Sequence, residues 1–303
     1  MANRFRLSRW LLAGLVATLP LAAPSPWMPQ AQAKAPNEYH LFVWKVTAPG
    51  AASDAQPDYM IGTMHLPVDA GLVMPAPVRN LIAEASAVVT EADTSQVNAT
   101  MLGKYIRLRG DKSLKQLLPP ASWSQLVKLK PMGLPPEHLA RIEPWYVNLV
   151  LTMPTPDGRP VIDDLVQQEA KQARVPVTHL EKAEQQLQFM DSIKQDEDVK
   201  QLIATLKEPQ KAKAQLDDLR KSYFAGDGRR VEAMVFEPEA LKLYPDYFNK
   251  LLFDRNARWM PQVDKLFKGE DAVVAVGLGH MLGDKGLIKL LKAKGYTVEP
   301  LAL

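Results

Sequence analysis

The stretch "VAVGLGHMLGDKG" (residues 274–286) decides how this chain is read. An apolar run that passes through glycines to a histidine, and then to a helix start, reads as the carboxyl end of a strand. A second phrase of the same kind stands much earlier, "YMIGTMHLP" (residues 59–67). Both place Gly-x-x-His directly after an apolar run, in parts of the chain far apart in sequence. Glycine lets a backbone turn off a strand without a Cβ clash. In open α/β sheets, the loops past the strands' carboxyl ends line the ligand cleft. A histidine placed there has an ordinary pKa suited to proton transfer and a neutral nitrogen suited to a metal. One Gly-x-x-His alone is common strand-to-helix punctuation. Here two of the five histidines (His40, His65, His138, His179 and His280) share that context.

Working outward, the pattern is α/β. "HLFVWKV" (40–46) and "DYMIG" (58–62) are strand-like and joined by a turn-rich link, which predicts a hairpin. "PAPVRNLIAEA" (75–85) has proline near its start and helical spacing of apolar residues. "AVVTEAD" (87–93) reads as a buried strand ending in Glu91 and Asp93, and "VPVTHLE" (175–181) as a strand between helices. The end of the chain runs strand, helix, strand. Helical segments fill about 95–160 and 195–267. The expectation is a single α/β domain, 34–303, with a mixed sheet and a large helical insertion. The units beginning "MIGTMH" and "VAVGLGH" both continue helix, strand, glutamate (Glu91 and Glu299). Either the half-domain is duplicated, which would set His65 opposite His280, or the likeness is that of a common unit.

Residues 1–33 have the order of a secretory signal peptide: Arg4, Arg6 and Arg9, a short apolar run, then Ala31-Gln32-Ala33. The apolar run falls short of the roughly 20 residues of a membrane span. Cleavage and an exported (periplasmic or secreted) protein without stable membrane insertion are expected; an uncleaved anchor is the alternative. Removing this segment takes three arginines and no acid, so 37 basic against 34 acidic residues becomes 34 against 34. The basic balance belongs to the export signal, and the charge argument for a nucleic-acid partner goes with it. Cysteine is absent, which excludes disulfides, thiolate metal sites and a cysteine nucleophile. Gly-x-Ser-x-Gly and His-Glu-x-x-His are also absent, and Gly277, Gly279 and Gly283 miss the dinucleotide-loop spacing.

These residues carry a resemblance. Gly62-Thr63-Met64-His65 and Gly277-Leu278-Gly279-His280, Glu91 closing a strand, Leu180-Glu181 followed by Gln186, and Asp254-Arg255-Asn256 with Trp259 together resemble the TraB/GumN family of the TraB/PrgY/GumN/Tiki superfamily, from about residue 40 to 301. His179 and Lys182 depart from the family's usual glycine and threonine around Leu-Glu. The resemblance implies a fold similar to erythromycin esterase and the haem-binding ChaN proteins, with one cleft fed by both His motifs. It also implies metal-dependent peptidase activity for Tiki-like members. On that footing His65, His280 and Glu91 would hold a divalent ion (Mn, Co or Zn), with Gly62, Gly277, Gly279, Gln186 and Asn256 in support. Glu91 would be ligand or base and Glu181 a further catalytic carboxylate. Arg255 would face a developing oxyanion or a substrate carboxylate, or else staple its helix to Glu91 or Glu181. Metal-bound water would be the nucleophile, and the substrate a peptide or small molecule. A protein that binds a small ligand, peptide or haem in the same cleft without turnover is the other reading. Trp145 and Trp259 read as core, Met74 and Pro75 as loop and helix start, and His40 and His138 as surface or packed edge.

Overall fold

The computed structural model describes residues 38–52, 56–155, 157–269 and 271–302. The expected signal segment lies outside them. Six strands form one mixed sheet: β1 (Phe42–Thr47), β2 (Asp58–Thr63), β3 (Ala87–Thr90), β4 (Val177–His179), β5 (Ala272–Gly277) and β6 (Thr297–Pro300), in the spatial order β4-β3-β5-β2-β1-β6. β1 and β2 form the antiparallel hairpin, Phe42 opposite Gly62 and Val46 opposite Asp58. β6 adds antiparallel to β1 at the far edge. β4, β3, β5 and β2 run parallel. β3 and β5 are buried along their whole length, as unbroken Ala/Val runs must be when helices cover both faces of a parallel sheet.

The helix Ala76–Glu84 starts at Pro75, carries Pro77 in its first turn where no amide is needed, and turns Val78 and Ile82 inward. It packs with the helix Ile162–Gln172. Helical segments within 99–152, 183–207 and 238–253 pack around a second apolar core, in which Leu114, Leu126, Val147, Leu187, Leu202 and Phe248 are buried, while Pro209–Phe224, Gly228–Val235, Asp254–Leu266 and Leu287–Ala293 turn their buried side chains into the core of the sheet. Leu149 and Phe236 touch both this core and that of the sheet. The fold is thus a single α/β unit with the helical excursion the sequence predicts.

The two Gly-x-x-His units share geometry only up to their helices. From β2 the chain crosses over β5 to β3, which delivers Glu91 beside the first histidine. From β5 it crosses β2 and β1 to reach the edge, where Glu299 is exposed and pairs across from Lys45. What positions the site is the insertion of β5 between β2 and β3. The carboxyl ends of four parallel strands then open onto one edge, where clefts form in such sheets.

Candidate functional site

Each of those four strand ends delivers part of the site. Past β2 comes His65, past β3 Glu91, past β4 Glu181, and past β5 Gly277 and His280. The β3–β4 pairing continues beyond the strands, with Leu180 N–H donating to Thr90 O and Glu181 N–H to Glu91 O (both 2.9 Å), so the two carboxylates are fixed side by side.

Glu91 is 3% exposed. Its Oε1 accepts from the Gly277 amide (2.8 Å), and its Oε2 from Arg255 Nη2 (2.6 Å) and Gln186 Nε2 (3.2 Å). Burial would raise its pKa, but the charges of Arg255 and His65 outweigh burial and hold the carboxyl well below the usual range.

Arg255 lies on the helix Asp254–Leu266, directly after a π turn, Asn249–Phe253. Such turns recur at functional sites. All five of its N–H groups are spent. Nε donates to Glu181 Oε1 (3.0 Å). Nη1 donates to Leu251 O (2.9 Å) and meets His280 Nε2 (3.0 Å). Nη2 donates to Glu91 and to Glu181 Oε1 (2.5 Å). Its guanidinium lies over Trp259, 4.6 Å from the ring centroid. No N–H is left for an oxyanion, and of the two expected geometries the structure has the staple, made to both glutamates at once.

His280 is buried, with its ring 4.4 Å from that of Trp259. Asn256 Nδ2 donates to the carbonyls of His280 (3.1 Å) and Lys285 (2.9 Å), so Asn256 Oδ1 faces His280 Nδ1 at 2.7 Å. The network therefore assigns the proton to Nδ1 and leaves Nε2 to accept from Arg255. Burial and the neighbouring Arg255 push the pKa of His280 well below 6.5, so the ring is neutral.

His65 is the opposite case. Asp163, in the first turn of Ile162–Gln172, accepts from Thr63 Oγ1 (2.7 Å) and sets Oδ2 2.9 Å from His65 Nδ1. That contact is an ion pair off the hydrogen-bonding line. Burial disfavours the charge on His65, but Asp163 and Glu91 overcome it and push its pKa up to about 10. His65 Nε2 is buried, lacks a hydrogen-bond partner, and lies 3.7 Å from Glu91 Oε1, too far for a hydrogen bond. His280 Nε2 stands at the same 3.7 Å from that oxygen.

The three groups surround a gap. A Cβ on Gly277 would stand 3.2 Å from Glu91 Oε1, 3.4 Å from His65 Nε2 and 3.7 Å from His280 Cδ2. A side chain at Gly277 would crowd Glu91 and His65, so glycine is what lets these groups approach one another around that point. Gly62 serves packing instead, since a Cβ there would meet Leu278 Cδ1 at 2.7 Å. Its carbonyl accepts from Tyr223 Oη (2.5 Å). Gly279 has only ordinary contacts. His65, Gly277 and His280 also line an adjoining cleft of about 100 Å³.

A divalent ion held by His65, His280 and Glu91 does not fit the residues as arranged. His65 Nε2 is open, but His280 Nε2 is bonded to Arg255. Among the described residues there is no group of three or more His, Asp or Glu side chains that could hold a metal.

Sequence reasoning brought together His65, Glu91, Glu181, Gln186, Arg255, Asn256 and His280, and the structure converges all of them. It missed Asp163, whose place in an acidic first helical turn looks like ordinary dipole compensation. It read Trp259 as core, yet the indole Nε1 also donates to Glu181 Oε2 (3.2 Å). His179 does not reach the gap; its Nδ1 pairs with Thr90 Oγ1 (2.9 Å). Lys182 is exposed, and its amide donates to Gln185 Oε1 (2.7 Å) at a helix start. His138 is exposed, His40 is packed against Phe42, and Met74 is buried.

The model of the TraB/PrgY/gumN family matches residues 42–300, nearly all of the described chain. The chain belongs to that family. Among curated relatives it is 23% identical to the metalloprotease TIKI2 of Danio rerio over 87% of this chain and 61% of that protein. It is 22% identical to the metalloprotease TIKI1 of Homo sapiens, over 96% of this chain and 68% of that protein. The chain therefore spans about three-fifths of the length of the first of these family members. No solved structure matches it. Among the described residues, no helix is long and apolar enough to cross a membrane.

Proposed function

We propose that this family member hydrolyses an amide or ester bond of a peptide or small-molecule substrate in the exported compartment, at the gap in front of Gly277. The observation that carries the reading is the unpartnered, buried His65 Nε2 aimed at a gap that Glu91 Oε1 also borders. Water seated there would donate to Glu91 Oε1 and present its oxygen to the substrate carbonyl carbon. His65, charged through Asp163, would donate its Nε2 proton to the departing nitrogen or oxygen. The new C–O bond replaces the C–N or C–O bond, and the water proton taken by Glu91 restores His65. Arg255 would act as a positioning residue, keeping Glu91 ionised and His280 neutral. The relatives' names support a hydrolase. Their metal is not built into this account, because His280 Nε2 is engaged.

One observation favours binding without turnover. A carboxylate held as far down as Glu91 is a weak base, and proton transfer works best near the operating pH. A peptide-library cleavage assay on mature protein, with and without chelator and with added Mn²⁺, Co²⁺ or Zn²⁺, separates the two readings. Cleavage lost in His65→Ala sustains the hydrolase. Tight ligand binding with no cleavage under any condition overturns it in favour of sequestration.

A further inference from the structure

We propose that the cleft beside the gap is a specificity pocket for a bulky, uncharged apolar side chain on the acyl side of a peptide substrate's scissile bond. The proposal rests on the hydrolase reading for the word "scissile" and on the cleft itself for the rest. His65, Gly277 and His280 are part of the lining of this cleft, so whatever fills it stands beside the bond held at the gap. Helical segments supply apolar walls through Leu219, Val231, Val235, Phe248 and Leu252, and Leu278 adds to them from the helical turn Leu278–Met281 after β5. Among the lining residues the titratable ones are His65, His280 and Tyr247. Among the described residues no Lys, Arg, Asp or Glu lines the cleft, and the one cation on its wall, His65, is already paired with Asp163, so a charged side chain would be buried without a partner of its own, which is costly. The cavity volume of about 100 Å³ is several times the roughly 10–15 Å³ that holds one water, so it takes more than an alanine methyl.

The apolar walls come from three separate helical segments, Pro209–Phe224, Gly228–Val235 and the stretch from Pro245 through Phe253. The last of these also carries Leu251, whose carbonyl holds Arg255. Filling the pocket therefore presses on the segment that anchors the positioning arginine. Val235 stands clear of that network. Its Cγ1 lies 3.7 Å from where a Cβ on Gly279 would be, so it faces the floor of the cleft.

The test uses blocked acetyl-Xaa coumarylamides with Xaa = Ala, Leu, Phe, Lys or Glu, and octanoyl coumarylamide as the acyl-chain source. Both binding by calorimetry and release of the fluorophore are measured on wild type and Val235→Phe. Each methylene in an apolar pocket is worth about 10–200-fold in discrimination. Leu and Phe are therefore expected to exceed Ala by at least about tenfold, with Lys and Glu below Ala. Val235→Phe should move the preference toward the smaller side chains while folding normally by circular dichroism. A flat profile, a preference for Lys or Glu, or no binding and no release for any member overturns the proposal. Octanoyl amide bound better than every amino-acid amide overturns the side chain as the source. Selective binding without release keeps the pocket and overturns the hydrolase. Release with a flat profile does the reverse.

Discussion

Replacing Gly277 with alanine puts a methyl group into the gap and tests whether anything has to occupy it. The backbone there is at φ −50° and ψ 134°, open to any L-residue, so alanine adds no conformational strain. The new Cβ would lie 3.2 Å from Glu91 Oε1 and 3.4 Å from His65 Nε2. Neither neighbour retreats freely. Glu91 is held by the Gly277 amide, Arg255 and Gln186, and His65 by Asp163. Overpacking by a few tenths of an ångström sits at the low end of the usual range, about 1 kcal/mol. Stiffening the unfolded chain by Gly→Ala returns about 0.4–1 kcal/mol. The net stability change is therefore close to zero, a melting shift within roughly 4 °C. Activity should respond far more, because the methyl takes the place assigned to water and misplacement by an ångström costs about 10²-fold. The assay is kcat/KM on a substrate found by library cleavage, beside thermal unfolding, with Gly103→Ala as control because a Cβ there meets nothing within 4 Å and the residue does not line the cleft. Wild-type turnover in a normally folded Gly277→Ala protein would refute the gap as the reaction centre.

Arg255→Lys keeps the charge but loses the planar fork, leaving Glu91 and Glu181 incompletely paired; about 3–5 kcal/mol of stability should be lost in urea unfolding, and an unchanged midpoint would remove the staple from the account. The same variant frees His280 Nε2, so it should bind Zn²⁺ more tightly than wild type by calorimetry, and equal affinities would show that Arg255 and metal do not compete. Asp163→Asn removes the anion that raises His65, so the His65 pKa should fall from about 10 toward or below 6.5 by NMR titration, and an unmoved titration would rule out the pair. Burial and the neighbouring Glu143, Glu197, Asp246 and Asp191 push Asp198 up to about 8 from 3.8. The folded state then holds a proton that the unfolded chain has lost, so stability falls as pH rises from about 4 to about 8, by up to about 5 kcal/mol at 1.36 per unit. Asp198→Asn should flatten that decline in unfolding measured at pH 5 and 9, and parallel profiles for the two proteins would refute it.

The central strands were legible because a sheet covered on both faces needs unbroken apolar runs, and "DAVVAVG" and "AVVTEAD" have little else they could be. The cleft was legible from glycine and histidine at two strand ends. Neither strand order nor partner choice could be read. β5 lies between β2 and β3, but each of these runs would pair equally well with another on apolarity alone. Asp163 was hidden for a related reason: an aspartate at a helix start stabilises that helix wherever it points, so only tertiary packing shows that it faces His65. Arg255 could be placed near the glutamates, but its saturation depends on the Leu251 carbonyl and the His280 tautomer, which no spacing encodes.

The position of β5 bears on how an unfinished chain behaves. The strand that joins the two halves of the sheet is supplied by residues 272–277, in the last tenth of the sequence. Before they arrive, β2 can pair only with β1, and β3 only with β4. Each pair then exposes an unsatisfied edge, Met60 and Ile61 on one and Val88 and Val89 on the other, all fully buried in the finished protein. Flat apolar edges of this kind recruit other strands. A chain stopped near residue 270 should therefore yield aggregate instead of a weakened protein, and a nascent chain has reason to be kept from folding until residues 272–277 are available.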